Sequence, residues 1–240
     1  MIKVAVSGAC GKMGERIVAL AQKAKKLDLV LGLEDKNHPD IGKLKGKVKI
    51  SGNPQDIVGC DCLIDFSAPK AALEYLDYAL KFDKPMVIGT TGLNKGQQAK
   101  IKKAAQNIPL IFSPNMSVGV NLIFKLLKIA ANTLKNYKVD IQEVHHIHKK
   151  DAPSGTAKRI AEIINQQGFN IKTDDIKADR YDQVIGDHKV IFESELERIE
   201  LSHSAKTRDI FAQGALLAAE WIIDKRPGLY SMDDVLFKGR

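Results

Sequence analysis

The chain has 240 residues, 44% hydrophobic and 28% charged, proportions of a soluble globular protein with one large or two modest domains. No apolar run approaches the ~20 residues of a membrane span, and Met1 leads straight into an apolar strand, so neither a membrane protein nor a signal peptide is expected. The net charge of +8 rests largely on single lysines such as Lys95, Lys100, Lys102 and Lys103; without an arginine-rich arm or a basic-aromatic platform, it suits small anions rather than nucleic acid. Cys10, Cys60 and Cys62 make a poor disulfide framework and fit a cytoplasmic protein.

Residues 2–7 form a short apolar strand. Gly8-Ala9-Cys10-Gly11-Lys12-Met13-Gly14 follows, then an amphipathic helix with Ile17, Val18, Leu20, Ala21 and Ala24 on one face. A second strand over residues 27–33 ends at Glu34-Asp35-Lys36. Strand, glycine-rich turn, helix and a strand with an acidic end make a βαβ dinucleotide-binding unit. Its glycines let the backbone approach a pyrophosphate, the helix N-terminus stabilises that charge, and Glu34, twenty residues after Gly14, accepts hydrogen bonds from ribose hydroxyls. A turn that only packs helix on strand is the blander alternative.

The alternation continues. Strand 62–66 leads through Ser67 and Pro69 into helix 71–82, and strand 85–88 ends in Gly89-Thr90-Thr91-Gly92. Helix 95–107 follows, and strand 110–112 ends in Ser113-Pro114-Asn115-Met116-Ser117. In an open parallel sheet the ligand lies beyond the carboxyl ends of the strands. Residues 8–14, Phe66-Ser67, 89–92 and 113–116 are therefore expected around one cleft.

The character then changes. A helix over 118–134 carries Val120, Ile123, Leu127, Ala130 and Leu134 on one face, and Val139-Asp140-Ile141-Gln142 alternates as a half-buried strand does. It runs into Glu143-Val144-His145-His146-Ile147-His148-Lys149-Lys150-Asp151-Ala152-Pro153-Ser154-Gly155-Thr156-Ala157. Pro153 stops regular structure, and Ser154 or Thr156 can cap a helix carrying Ile160, Ile163 and Ile164. Strand, basic loop and helix N-terminus together suit a small anion that needs protons. His145 and Lys149 would lie ~13 Å apart on a straight strand, so the strand is expected to end near Ile147. A solvated basic loop is one alternative. Metal ligation by His146 and His148 with His145 is another, disfavoured by the adjacent lysines, and no metal is expected. Residues 165–188 look like a polar loop, residues 190–194 and 198–203 like antiparallel strands. A helix from Thr207 presents Phe211, Gly214, Leu217, Ala218 and Trp221, and Ser231 caps a short last helix. The fold class is α/β: a doubly wound parallel sheet of the Rossmann type over 1–116 and 208–240, plus a smaller α+β domain for substrate and oligomerisation over 117–207.

Six segments together resemble one family, the 4-hydroxy-tetrahydrodipicolinate (dihydrodipicolinate) reductases of the diaminopimelate route to lysine. They are Val-Ser-Gly-Ala-Cys-Gly-Lys-Met-Gly (6–14), Ile-Asp-Phe-Ser (64–67), Val-Ile-Gly-Thr-Thr-Gly (87–92), Pro-Asn-Met-Ser-Val-Gly-Val-Asn (114–121), the basic motif at 143–157, and Arg-Asp-Ile-Phe-Ala-Gln-Gly-Ala (208–215). The resemblance implies hydride transfer from NADH or NADPH to C4 of a cyclic dicarboxylate that loses water. It implies that His145 is the acid/base residue, that Lys149 is the proton donor or electrostatic partner, and that His146, Lys149, Gly155 and Thr156 hold the substrate's carboxylates. It assigns the cofactor to Gly8, Lys12, Met13, Glu34, Asp35, Phe66, Gly89, Thr90, Thr91, Ser113, Asn115 and Met116. It also implies a homo-oligomer, a tetramer in the family. The chain differs from the family pattern at Ile147, where a polar residue is usual, at Asp35-Lys36, where some members have arginine, and in a shorter stretch from Thr173 to His188 that lacks most of one strand.

Overall fold

Val4, Ala5 and Val6 are wholly buried, as a strand covered on both faces must be. Around them the computed structural model, which describes residues 1–238, arranges twelve strands and seven helices. In chain order these are β1 (Ile2–Ser7), α1 (Lys12–Ala21), β2 (Leu27–Leu33), β3 (Leu44–Lys45), β4 (Val48–Ser51), β5 (Cys62–Asp65), α2 (Pro69–Lys81), β6 (Met86–Ile88), α3 (Lys95–Ala104) and β7 (Pro109–Phe112). Then come α4 (Val118–Thr133), β8 (Lys138–His145), α5 (Gly155–Asn165), β9 (Lys177–Arg180), β10 (Asp187–Glu193), β11 (Arg198–Ser204), α6 (Asp209–Ile222), β12 (Gly228–Tyr230) and α7 (Met232–Phe237). The chain divides into two compact units, one of Met1–Ser117 with the stretch from Asp209 onward, the other of Val118–Arg208. Among the described residues no helix is long and apolar enough to cross a membrane.

The first unit is a sheet in the order β12-β7-β6-β5-β1-β2-β4-β3, parallel throughout except for β3. From β1 the chain builds outward through β2 and β4, then returns and builds the other way through β5, β6 and β7, so the order reverses between β1 and β5. That reversal is where an open α/β sheet leaves a crevice. The two-residue period of the strands sorts side chains to two cores. Val4, Val6, Ile64 and Val87 meet α1 and α6, whereas Ala5, Leu63, Met86 and Ile88 meet α2 and α3. The result is a doubly wound α/β layer.

The second unit is a four-stranded sheet, β11-β10-β8-β9, in which β9 runs parallel to β8 and the other pairs are antiparallel. Helices α4 and α5 bury Leu127, Ala131, Ile160 and Ile164 against Ile141, Val190 and Phe192. Along α4, Val118, Leu122, Leu126 and Ile129 remain exposed.

Two parts depart from expectation. Residues 165–188 are not all loop: a short 3₁₀ turn (Thr173–Asp175), β9 and the first residues of β10 lie within them. Strand β9 is four residues, Lys-Ala-Asp-Arg, at a sheet edge, so it carries almost no apolar signal. The short strands β3, β4 and β12 likewise extend the first sheet at its two ends, and the sequence pattern does not announce them.

Candidate active site

In the first unit, strand ends on one edge of the sheet carry the glycine-rich turn and its neighbours. Gly8 has a positive φ of 71°, and a Cβ there would sit 2.4 Å from the Phe66 carbonyl oxygen, so only glycine fits. A Cβ at Gly14 would lie 1.9 Å from the Gly8 carbonyl oxygen, so α1 packs on the turn as closely as backbone allows. Gly11 precedes α1, and no side chain caps the helix there. Half-buried Glu34 follows β2. Its Oε2 accepts the Cys10 N–H at 2.9 Å, its Oε1 the Asp35 N–H at 3.1 Å. Met13 is half-buried, whereas Lys12, Asp35 and Lys36 are exposed. These residues fit a dinucleotide: a close backbone approach, an uncapped helix N-terminus and an acidic group beside both.

A residue without an assigned role organises the same edge. Asp65, the last residue of β5, is wholly buried. Its carboxylate accepts hydroxyl bonds from Ser7 (2.6 Å), Ser67 (2.5 Å) and Thr90 (2.6 Å), drawing the ends of β1, β5 and β6 together. Burial raises its pKa; the three hydroxyls oppose that shift. Thr90 Oγ1 also accepts the Ser67 N–H at 2.9 Å. The Phe66 ring lies over Gly89, where a Cβ would come within 2.2 Å of it. Thr91 is exposed. Beyond β7, Ser113 Oγ donates to the Asn115 carbonyl at 2.8 Å, and Asn115 Oδ1 accepts the Ser117 N–H at 2.9 Å. Met116 is buried in the core, its carbonyl against Gly214 of α6, where a Cβ would lie 1.7 Å away. The signal for Asp65 was available: an ionisable residue inside the apolar run 62–66 must find donors.

The cysteines offer no thiolate nucleophile near neutral pH. Burial raises the Cys10 thiol, pushes Cys60 up to about 11 and raises Cys62 well above the usual range.

In the second unit, Ile141, Glu143 and His145 alternate onto the buried face of β8. The strand ends at His145, two residues sooner than expected, and the chain turns back with the Lys149 N–H donating to the His146 carbonyl at 3.0 Å. Glu143, wholly buried, is the hub. Its Oε1 accepts the Ser154 N–H at 3.0 Å and faces the Arg180 guanidinium at 3.3 Å. Its Oε2 lies 3.0 Å from His145 Nδ1, although the ring is turned off the line of a straight hydrogen bond, and 3.8 Å from His188 Nε2. Burial pushes the Glu143 pKa up, but contacts with His145 and Ser154 win and hold it at about 2.

On the far side of the His145 ring, a Cβ at Gly186 would come within 2.9 Å of Nε2, so glycine keeps that nitrogen uncrowded. Lys149 Nζ pairs with Asp151 Oδ1 at 2.8 Å. Ser154 caps α5, its Oγ accepting the Ala157 N–H at 3.1 Å. Gly155 opens that helix, and a Cβ there would meet nothing within 4 Å. Half-buried His146 has its pKa lowered by burial and by Arg208.

His146 and His148, weighed above as metal ligands, both lie beyond the end of β8. In this unit the metal-like set among the described residues is Glu143, His145 and His188, whose ligand atoms lie within 4.8 Å of one another, but Arg180 already occupies the carboxylate's other oxygen. Glu143 was legible from the period-2 pattern that puts it beside His145. Arg180 and His188 were not, because they reach the site through pairings with β8 across more than thirty residues.

His188 yields a test. Burial lowers its pKa from 6.5 to about 4, and nearby His145 adds to the effect. The folded protein thus binds this proton less tightly than the unfolded chain, and stability falls as pH drops through the window from 6.5 to 4. His146 and His203 are shifted the same way. The His188 contribution should be on the order of 2–3 kcal/mol between pH 7 and 4.5. Urea unfolding at both pH values should therefore show a clearly smaller loss for His188→Gln than for the wild type, and equal losses would refute the assignment.

Comparison with known proteins places these features. The family described as "Dihydrodipicolinate reductase, N-terminus" matches residues 2–116, and "Dihydrodipicolinate reductase, C-terminus" matches residues 119–236. The 4-hydroxy-tetrahydrodipicolinate reductase of Aquifex aeolicus is 42% identical over 98% of both chains, and that of Geotalea daltonii 41% identical over 98% of this chain and 99% of its own. These alignments run over 264 positions, more than the chain's 240 residues, so the relatives carry segments that it lacks. Among solved structures, the dipicolinate-bound dihydrodipicolinate reductase of Paenisporosarcina sp. TG-14 superposes with a TM-score of 0.82, at 26% identity, over 96% of this chain and 97% of its own. The chain belongs to the dihydrodipicolinate reductase family.

Proposed function

We propose that this chain reduces 4-hydroxy-tetrahydrodipicolinate to tetrahydrodipicolinate with NADH or NADPH, a step towards diaminopimelate and lysine. The observation that carries this reading is the arrangement around Glu143. A buried, ionised carboxylate faces His145, and the same oxygen pair anchors the start of α5 through the Ser154 N–H. Within ten residues the chain offers an imidazole, an ammonium and a helix N-terminus. The solved relative is described as dipicolinate-bound, and dipicolinate is a planar dicarboxylate of the shape this seat would take.

The first unit would hold the dinucleotide through Gly8, Lys12, Met13, Glu34, Asp35, Phe66, Gly89, Thr90, Thr91, Ser113 and Asn115, with Met116 contributing backbone only because its side chain is in the core. A bound reduced nicotinamide supplies the hydride. The second unit supplies the rest. As water leaves the substrate and C4 gains a hydride, negative charge develops on the conjugated imine system and a proton must arrive. His145 keeps its Nδ1–H toward Glu143, so as the imidazolium it hands over the second proton, the one on Nε2, and is left neutral with its proton on Nδ1. Lys149 stabilises the developing charge, and a substrate carboxylate takes over the contact that Asp151 makes with its Nζ. His146 and the Gly155-Thr156 helix end hold the carboxylates. Gly155 supports this role: neither a positive φ nor a protein neighbour demands glycine there, and an anion lying against the backbone would.

The chain would act as a homo-oligomer in a reducing cytoplasm. The exposed stripe of Val118, Leu122, Leu126 and Ile129 on α4 and the three unpaired cysteines support those two readings. Light scattering that returned only the 26.4 kDa monomer would reject the first.

Loss of absorbance at 340 nm with freshly generated substrate tests the chemistry. His145→Gln and Lys149→Ala should each lower kcat by ~10²-fold or more, and near-normal turnover in both would sink the assignment. The same assay tests cofactor choice. Glu34 receives the ribose hydroxyls and Asp35 repels a 2′-phosphate, so NADH should serve at least as well as NADPH. A kcat/KM about ten times higher with NADPH would show that exposed Lys12 and Lys36 prevail.

A further inference from the structure

Arg180, the last residue of β9, reaches both ends of the basic loop. Its Nη1 and Nη2 approach Glu143 Oε1 at 3.3 Å each. Its Nε donates to the Lys149 carbonyl at 3.3 Å, Nη2 to the Asp151 carbonyl at 2.5 Å, and Nη1 to the Asp179 carbonyl at 2.7 Å. One planar cation thus joins three things: the carboxylate whose other oxygen faces His145, the backbone of Lys149, and the backbone of Asp151, whose side chain pairs with Lys149. The guanidinium is about four-fifths buried and its donors are spent on these acceptors. That arrangement is unsuited to binding a substrate carboxylate and well suited to fixing a loop.

We propose that Arg180 is a positioning residue: it sets His145, through Glu143, and Lys149, through the loop backbone, in one fixed relation without touching the substrate. The inference rests on the roles given above to His145 and Lys149. It also gives a function to a strand whose sequence shows no pattern. Lysine cannot replace it, because a single ammonium cannot span a carboxylate and two carbonyls that need a planar fork of donors.

The test uses the full chain and the variants Arg180→Ala and Arg180→Lys. Misplacing a reacting group by ~1 Å costs up to ~10²-fold in rate. Arg180→Ala should therefore lose ~10²-fold in kcat and Arg180→Lys at least ~10-fold, with the Kd for NADH unchanged within about twofold. Added guanidinium ion at non-denaturing concentration should restore part of the Arg180→Ala activity and none of the Lys149→Ala activity. Amide hydrogen exchange should quicken at residues 146–153 in both arginine variants and stay unchanged along β10 and β11. A kcat for Arg180→Ala within about twofold of wild type would overturn the proposal. So would unchanged exchange in the loop, or a loss of rate with faster exchange across the whole unit and no rescue, the mark of a merely structural residue. Failure of the underlying reading looks different: the wild type itself would not turn over the substrate, while the exchange measurement would still report whether Arg180 holds the loop.

Discussion

A carboxylate without access to water needs its lone pairs answered by donors, and Glu143 sets that demand at the end of β8. Everything around it follows. The Ser154 N–H answers one oxygen, which brings the start of α5 back to the strand. Arg180 answers the same oxygen from β9, and His145 and His188 gather at the other. A strand, a loop, a helix and two neighbouring strands are thereby tied to one charge. The loop between them contains no regular structure of its own, so its shape depends on these contacts. Removing Glu143 would strand a guanidinium and a backbone N–H in the interior, a larger loss than the hydrogen bonds alone.

The first unit solves a similar problem with different donors. Asp65 ends β5 just where the strand order reverses, and three hydroxyls replace the cations and backbone N–H groups that serve Glu143. The consequence differs accordingly. Ion pairing and hydrogen bonds keep Glu143 ionised, with its pKa at about 2, whereas neutral donors leave burial in control at Asp65 and its pKa rises. Asp65 therefore braces strand ends against each other, and Glu143 presents a charged carboxylate to its histidine neighbour.

Much of this was legible in the sequence because the governing periods are short. Alternation along residues 138–145 puts Ile141, Glu143 and His145 on one face, and the strand–glycine–helix run at residues 2–21 announces the nucleotide turn from local spacing alone. Ser231 and its last helix could be read the same way, as a capping signal. The failures share a cause of the opposite kind. Lys-Ala-Asp-Arg at 177–180 is a strand only because β8 lies alongside to pair with it, and Gly228–Tyr230 only because β7 does. Such edge strands take their structure from partners far along the chain, and Arg180 was invisible as a site residue for that reason; His188, on the inner strand β10, reaches the site only through its distant pairing with Glu143 of β8. Met116 shows the converse: its motif placed it with the cofactor residues, while close packing against Gly214 puts its side chain in the core.

The central claim is that ionised Glu143 keeps a proton on His145 Nδ1, so that the proton exchanged with the substrate is the one carried by Nε2. Nitrogen-15 NMR of the ring nitrogens, with His145 assigned by substitution, reads this directly at neutral pH. The account predicts a proton on Nδ1 in wild type and a redistribution toward Nε2 in Glu143→Gln. A His145 ring protonated on Nε2 alone in wild type would contradict it.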